Sequence, residues 1–217
     1  MTQHITYSLL VPPAPWKLTG SALFIAGWLS PRALADIRRE YGEQPALQNL
    51  VMGFFASYSH TPIGPYQEYF IGSGPKWKVL PTLKIYNSFV STELAHTAGR
   101  LLWGAPHISS GVAIAKSGND IEASVQSEHE VFTLKGCDMG RFLPLAAPGL
   151  PVYTERGPRR QLFFVSVSAG SVRRVRLQIE ACHTENSLLM RLLLRAPHIA
   201  LYSGNMRMKI SQSFDIL

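Results

Sequence analysis

Two residues of this 217-residue chain are well suited to moving protons, Glu68 and His107. Glu68 lies in the run Tyr66 to Ile71, whose apolar and aromatic content predicts a strand. His107 follows a segment with helical periodicity, Ser91 to Trp103. A buried carboxyl group and an imidazole can act as a general acid and base near pH 7. Such a pair supports enolisation, dehydration, isomerisation or cyclisation.

Both residues also have an ordinary structural interpretation. Glu68 can accept hydrogen bonds from Tyr66, Tyr58 or backbone N–H groups, and His107 can cap the carbonyls at a helix end. A metal site made of His60, Glu68 and His107 has acceptable ligand types, but nothing in their spacing requires one, so we expect no metal. The chain lacks a P-loop and a G-x-G-x-x-G motif, so we expect no cofactor.

The segments that must position these residues are mainly strands. Apolar or alternating runs divided by Gly, Pro, Ser or Asn are typical of strands in an antiparallel sheet. They predict strands at Leu18–Leu29, Val51–Tyr58, Tyr66–Ile71, Thr82–Val90, Gly111–Lys116, Ile121–Val125, Glu130–Leu134, Leu162–Ser168 and Val172–Ala181. A hairpin turn is expected at Ser117–Asp120.

The helical and irregular segments are fewer. Ser30 is a good N-cap with Pro31 at the first helical position, and this helix should end at Gly42 and Pro45. A second helix is predicted over Ser91–Trp103. The Pro- and Gly-rich stretch Leu143–Pro158 predicts a long loop, and the tail Ser187–Leu217 fits either a buried strand or a short helix.

Length and composition predict one globular domain over residues 1–217. Cys137 and Cys182 stand far apart without a C-x-x-C spacing, which favours a reducing compartment, and the N-terminus resembles no secretory signal, so a cytoplasmic location is expected. The formal charge of +7 raises the question of nucleic acid, but the arginines cluster in Arg156–Arg160 and Arg173–Arg176 without any nucleic-acid-binding motif. We therefore expect no nucleic-acid partner. The longest apolar run, Ala22–Leu29, is too short to cross a membrane, so no membrane association is expected.

Three segments, in this order, carry a family resemblance: Pro15-Trp16-Lys17-Leu18-Thr19-Gly20, Gly64-Pro65-Tyr66-Gln67-Glu68, and Ala98-Gly99-Arg100-Leu101-Leu102-Trp103-Gly104-Ala105-Pro106-His107. Together they resemble the acetoacetate decarboxylase superfamily. The similarity covers the first half of the chain and becomes diffuse beyond Asp138.

The resemblance implies a mostly β (α+β) fold, a cone-like antiparallel β-barrel with a few flanking helices, in a homo-oligomer. It also implies a small, largely apolar pocket for a small-molecule substrate or ligand. Around Glu68 and His107, the residues predicted to bind substrate are Ser21, Phe55, Tyr58, His60, Tyr66, Arg100 and Trp103. Of these, Phe55, Tyr58 and Trp103 are expected to line or pack the pocket wall. His60 is expected at the rim, and Arg100 is either an anion binder or a structural ion-pair partner.

The chain departs from the family where lysine chemistry is expected. The decarboxylases of the family use a lysine that forms a Schiff base with a β-keto acid, beside a second lysine that depresses its pKa. The corresponding positions here are His107 and Ile108. Ser21 replaces an arginine that binds the substrate carboxylate, and Gly53 replaces a second pocket glutamate. Lys116, the nearest substitute amine, borders a turn and is expected to point to solvent.

These observations predict an enzyme of lyase, isomerase or cyclase type rather than a lysine-dependent decarboxylase. It would use acid and base catalysis by Glu68 and His107 on a small apolar carbonyl compound or carboxylic acid. The alternative is a non-catalytic barrel that binds an apolar metabolite, because most of the polar pocket residues of the family are lost.

Overall fold

The computed structural model describes residues 11–41, 49–74, 82–128, 131–142, 144–156, 159–182 and 197–216. In these ranges thirteen strands form one sheet, accompanied by two helices. The first strands are β1 (Trp16–Trp28), β2 (Leu50–His60), β3 (Tyr66–Gly74), β4 (Leu83–Val90), β5 (His107–Ser109), β6 (Gly111–Ser117) and β7 (Asp120–Gln126). The others are β8 (Val131–Phe142), β9 (Leu145–Arg156), β10 (Arg159–Ala169), β11 (Val172–Cys182), β12 (His198–Ile210) and β13 (Phe214–Ile216). The helices are α1 (Pro31–Tyr41) and α2 (Glu93–Trp103).

Seven of the described strands close into a barrel. Strands β1, β2, β3 and β4 pair in sequence and antiparallel, and β4 then pairs in parallel with β9. Strand β9 pairs with β10, β10 with β12, and β12 returns to β1. Closure satisfies the backbone groups that an open sheet would leave at its edges. The predicted mostly β barrel with a few helices is thereby confirmed.

The other long strands form a second layer, which we call the wing: β11, β8, β7 and β6, paired antiparallel in that order and joined to β12. The wing packs on the outer face of β1 to β4. Phe55 and Tyr69 from the barrel meet Phe132 from the wing, with ring centroids 6.1 and 5.5 Å from that of Phe132. Both faces of these barrel strands are therefore buried.

The barrel interior is filled by residues that alternate with those outward-facing side chains. Along β12, Met206 and Met208 are buried in the interior cluster, whereas Arg207 and Lys209 are exposed. This period of two places one apolar face inside the barrel and leaves the charges outside.

The two predicted helices are present. Ser30 accepts a hydrogen bond from the backbone N–H of Ala33 at 3.2 Å, as expected of an N-cap before Pro31. Helix α2 begins at Glu93, because the side chain of Thr92 accepts the bond from the Ala95 N–H. It ends at Trp103, and the next residue, Gly104, is a left-handed C-cap with a φ of 58°.

The prediction of a long loop over Leu143–Pro158 is wrong, because most of this stretch is β9. The register of β9 against β10 shifts between Val165 and Val167, which marks a bulge. Pro148 lies in this bulge, where no ladder hydrogen bond is needed, and the Gly149 N–H donates to Ser166 Oγ at 3.1 Å. Prolines are tolerated in a strand at such positions.

The remaining predictions for elements divide between described and undescribed residues. The hairpin at Ser117–Asp120 connects β6 and β7 as expected, and the described part of the tail forms β12 and β13. The ambiguous run at 188–194 and the predicted helix stop at Gly42 and Pro45 lie outside the described residues. Among the residues that are described, no helix is long and apolar enough to span a membrane.

Candidate active site

The barrel encloses a cavity of about 170 Å³ with walls that are almost entirely apolar. Most of the residues that line it are aliphatic or aromatic, among them Phe24, Phe54, Phe70 and Met208. The polar lining residues are Tyr58, Tyr66, Glu68, Trp103 and His107. An apolar cavity with a few convergent polar groups is the usual form of a small-molecule site.

Glu68 enters the cavity because it shares the inward face of β3 with Tyr66 and Phe70. One oxygen of its carboxyl group, Oε2, accepts a hydrogen bond from the Tyr58 hydroxyl at 3.0 Å. The other, Oε1, accepts from Ser88 Oγ at 3.3 Å. Burial raises the pKa of Glu68 to about 7, although both hydrogen bonds lower it. Near neutral pH this carboxyl group can therefore accept or release a proton.

His107 is fixed against both β4 and α2. It pairs with Ser88 across the parallel ladder of β4 and β5, and its Nδ1 lies 2.6 Å from Ser88 Oγ. Its ring lies on the backbone of Gly99, where an added Cβ would come within 1.7 Å of Cδ2. Burial lowers the pKa of His107 to about 3, with smaller effects from the nearby His96 and Arg100. The imidazole is therefore neutral near pH 7.

Ser88 links the two titratable groups, and the sequence analysis did not identify it. Its hydroxyl donates to Glu68 Oε1 while it contacts His107 Nδ1, so the three side chains form one continuous network. Because Ser88 donates to the carboxylate, His107 Nδ1 is assigned as the N–H donor to Ser88 Oγ. Ser88 is fully buried behind the cavity wall.

A bulge in β4 turns Ser88 toward Glu68. The register of β3 against β4 shifts between Ile71 and Gly72, which leaves Tyr86 as an extra residue in β4. Leu83 and Ile85 face inward before this bulge, and Ser88 faces inward after it. Strict alternation from Leu83 would turn Ser88 away from the cavity side. Only the bulge, which leaves little trace in a sequence, brings this hydroxyl into the network.

Tyr66 presents a hydroxyl group to the cavity. Its ring lies 4.9 Å from that of Tyr58, and the described residues include no hydrogen-bond partner for its hydroxyl. Burial, followed by the proximity of Glu68, raises the pKa of Tyr66 well above its usual value. The hydroxyl is thus a neutral donor beside the carboxyl group.

The other residues predicted to bind substrate are dispersed. Trp103 lines the cavity, and its Nε1 donates to the Ser211 carbonyl at 2.8 Å. Ser21, His60 and Arg100 are not among the lining residues. His60 is exposed beside Ser59 Oγ at 3.0 Å, and Arg100 is exposed on α2 with Nη1 3.4 Å from His96.

The expectation that Phe55 lines the cavity requires correction. Phe55 lies on the outward face of β2 and is fully buried between barrel and wing. The neighbouring Phe54 faces the cavity instead. Successive residues of a strand point to opposite faces, so a one-residue difference decides which aromatic ring meets a ligand.

The positions that the resemblance aligns with charged groups of the family lie partly in the cavity wall. His107 and Gly53 line the cavity, whereas Ile108 packs toward the wing. Lys116 lies on β6, where its Nζ is 3.6 Å from Asp138 and contacts the Gly118 carbonyl. No lysine or arginine is found among the cavity-lining residues that the structure describes. No group of three or more potential metal ligands is found within the same described ranges.

The barrel thus surrounds an apolar cavity with a few polar groups in its wall. No family model matches the chain, and no curated protein matches it. Solved structures do match over nearly the whole chain. Acetoacetate decarboxylase from Legionella pneumophila aligns with a TM-score of 0.72 at 10% identity, covering 95% of this chain and 88% of its own.

Two other solved structures show the same similarity. An acetoacetate decarboxylase-like enzyme from Sphingomonas wittichii RW1 gives a TM-score of 0.71 at 12% identity, over 95% of this chain and 94% of its own. The enduracididine biosynthesis enzyme MppR complexed with pyruvate gives 0.66 at 11% identity, over 94% and 91%. The chain has the acetoacetate decarboxylase-like fold.

Proposed function

We propose that this protein is a cofactor-free enzyme that transfers protons at a carbon next to a carbonyl group, with Glu68 as the base. The observation that supports this best is the enclosed Glu68 carboxyl group, with a pKa of about 7, at the edge of an apolar cavity. A base with a pKa near the working pH is the most effective one in proton abstraction.

The proposed step follows from the geometry of the polar residues. The Glu68 carboxylate removes a proton from the α-carbon, and the electron pair of that C–H bond forms the C=C bond of an enolate. The carbonyl oxygen takes up the negative charge and accepts a hydrogen bond from the Tyr66 hydroxyl. Return of the proton to the same or another carbon gives exchange or isomerisation, and loss of a leaving group gives a lyase reaction.

His107 has a positioning role in this proposal. Neutral at working pH, it holds Ser88 through Nδ1, and Ser88 in turn orients Glu68. An imidazole does not form the iminium that a lysine would supply, so Schiff-base decarboxylation is not proposed. MppR has the same fold and was solved with pyruvate, whose keto group supports a carbonyl compound as the ligand class. The carboxylate of pyruvate would find no lysine or arginine among the described lining residues of this cavity.

The test is hydrogen exchange of a panel of enolisable ketones in deuterated water, followed by mass spectrometry. The wild-type protein should catalyse exchange, and Glu68→Gln should lower the rate by at least about 100-fold. Glu122→Gln, a matched change on the exposed face of β7, should leave the rate unchanged. Equal exchange by wild type and Glu68→Gln would exclude Glu68 as the base.

A non-catalytic binding protein is the second candidate. It is favoured by one observation: Tyr58 and Ser88 both hydrogen-bond the Glu68 carboxyl group, as they would a purely structural residue. Native mass spectrometry of protein from its own host separates the two candidates. A stoichiometric ligand that leaves chemically unchanged supports binding, and turnover of the ligand excludes it.

A further inference from the structure

We infer, on the basis of the proposed function, that the cavity selects a neutral ligand with a single hydrogen-bonding oxygen on an apolar body about the size of one ring. It rejects carboxylates of the same shape.

The distribution of cationic side chains is the first observation. On β12, Arg207 and Lys209 are exposed, whereas the Met208 between them lines the cavity. Lys84 lies between two cavity-lining residues of β4, but its ammonium group pairs with Glu155 of β9. Within the described lining, therefore, no cation is available to bind a carboxylate. A buried anion without a cationic partner is strongly disfavoured.

The position of Glu68 is the second observation. Glu68 is the acidic residue among the described residues that line the cavity, and a ligand carboxylate beside it would add a like charge in a medium of low polarity. A neutral carbonyl group has no such cost. Its oxygen can accept from a hydroxyl while its α-carbon lies near the carboxylate.

The number of available donors is the third observation. The Tyr58 hydroxyl and the Ser88 hydroxyl are engaged by Glu68, and Trp103 Nε1 is engaged by the Ser211 carbonyl. Of the described hydroxyls that line the cavity, the one on Tyr66 is left for a ligand. A ligand with several acceptor groups would leave the others unsatisfied, which costs free energy.

The cavity size sets the apolar body. Its volume of about 170 Å³ is close to that of an engineered apolar cavity of about 150 Å³ that holds benzene. A single aromatic ring or a short alkyl chain fills such a space. Aromatic methyl ketones and short alkyl ketones meet all three requirements.

The experiment compares ligands matched in shape but not in charge. Acetophenone with benzoate, and 2-hexanone with pentanoate, are titrated calorimetrically into the wild-type protein at pH 8. Each ketone should bind at least about 100-fold more tightly than its carboxylate partner, because the carboxylate is desolvated beside Glu68. Carboxylates that bind as tightly as the ketones would overturn the inference, as would failure of both ketones to bind at millimolar concentration.

Variants tie the selectivity to the named residue. Glu68→Gln should lower the ratio of the affinity for acetophenone to that for benzoate by at least about tenfold, because it removes the like charge while retaining a side chain of the same size. Glu122→Gln should leave the preference unchanged, and equal selectivity in wild type and Glu68→Gln would contradict the inference.

Ketone binding without deuterium exchange would refute the proposed catalysis but not this selectivity. Exchange together with equal binding of carboxylates would refute only the selectivity.

Discussion

At the scale of single residues, the proton affinity of Glu68 is the result of opposing effects. Burial in the apolar cavity raises its pKa, whereas hydrogen bonds from Tyr58 and Ser88 lower it. Glu68 and Tyr66 were predicted for the site from a motif that resembles the family. Ser88 was not, because a serine in a strand carries no signal until its orientation is known. The sequence therefore indicates the proposed base, Glu68, and omits Ser88, which hydrogen-bonds it.

Ser88→Ala should move the pH dependence of the proposed exchange reaction. A general base acts when it is deprotonated, so the rate should rise with pH through the pKa of Glu68, near 7 in the wild type. Loss of the Ser88 donor removes a bond that stabilises the carboxylate and should raise this midpoint by about one pH unit. The measurement is the rate of deuterium exchange between pH 5 and pH 9.

The matched control is Ser73→Ala, which truncates a fully buried serine that bonds the Tyr86 hydroxyl at 3.1 Å and does not line the cavity. Its midpoint should stay at the wild-type value. A lower rate in Ser88→Ala without any shift of the midpoint would mean that Ser88 contributes packing and does not set the pKa of Glu68.

At the scale of elements, the predictions were right where residues close in sequence determine the structure, and wrong where the pairing of a strand with its neighbour determines it. Ser30 with Pro31 predicted the start of α1, and the spacing of apolar residues predicted α2. The bulges in β4 and β9 follow from the register of a neighbouring strand, and the residues themselves carry little sign of them. For this reason the sequence predicted a loop at Leu143–Pro158 and gave no orientation for Ser88.

Gly99→Ala tests how α2 positions His107. Replacing glycine by alanine inside a helix normally stabilises it by about 0.5–1 kcal/mol. Here the new Cβ would come within 1.7 Å of His107 Cδ2 and 1.9 Å of Nε2, so the ring must move. We expect a loss of about 1–3 kcal/mol in the free energy of unfolding, measured by urea denaturation.

The double variant identifies the contact that is responsible. With His107→Ala in the background, Gly99→Ala should no longer destabilise, giving a coupling free energy of about 1–3 kcal/mol. Gly111→Ala, whose Cβ would approach no atom closer than 3.4 Å, should change stability by less than about 0.5 kcal/mol. Additive effects of Gly99→Ala and His107→Ala would show that the ring does not contact the helix as described.

At the scale of the whole molecule, the two layers divide the apolar residues between the wall of the barrel cavity and the core between barrel and wing. Strand β2 is buried on both faces, so its apolar residues form a nearly continuous run, and alternation does not distinguish the faces. The family resemblance implied a barrel with a pocket, but the sequence did not show that Phe55 faces the wing and not the pocket. The predicted single domain, homo-oligomer and cytoplasmic location stay predictions.

Phe54→Ala and Phe55→Ala, on neighbouring positions of β2, should separate the two functions of this strand. Phe55→Ala leaves a void between barrel and wing and should lower the free energy of unfolding by about 3–5 kcal/mol in urea denaturation. Phe54→Ala opens into the existing cavity, so it should cost less stability and favour larger ligands. Calorimetry should show that Phe54→Ala binds 2-acetylnaphthalene better, relative to acetophenone, than the wild type does. In Phe55→Ala the ratio of the two affinities should equal that of the wild type, measured at low temperature so that the variant stays folded. The reverse pattern would mean that the faces of β2 are exchanged, and with them the assignment of the cavity.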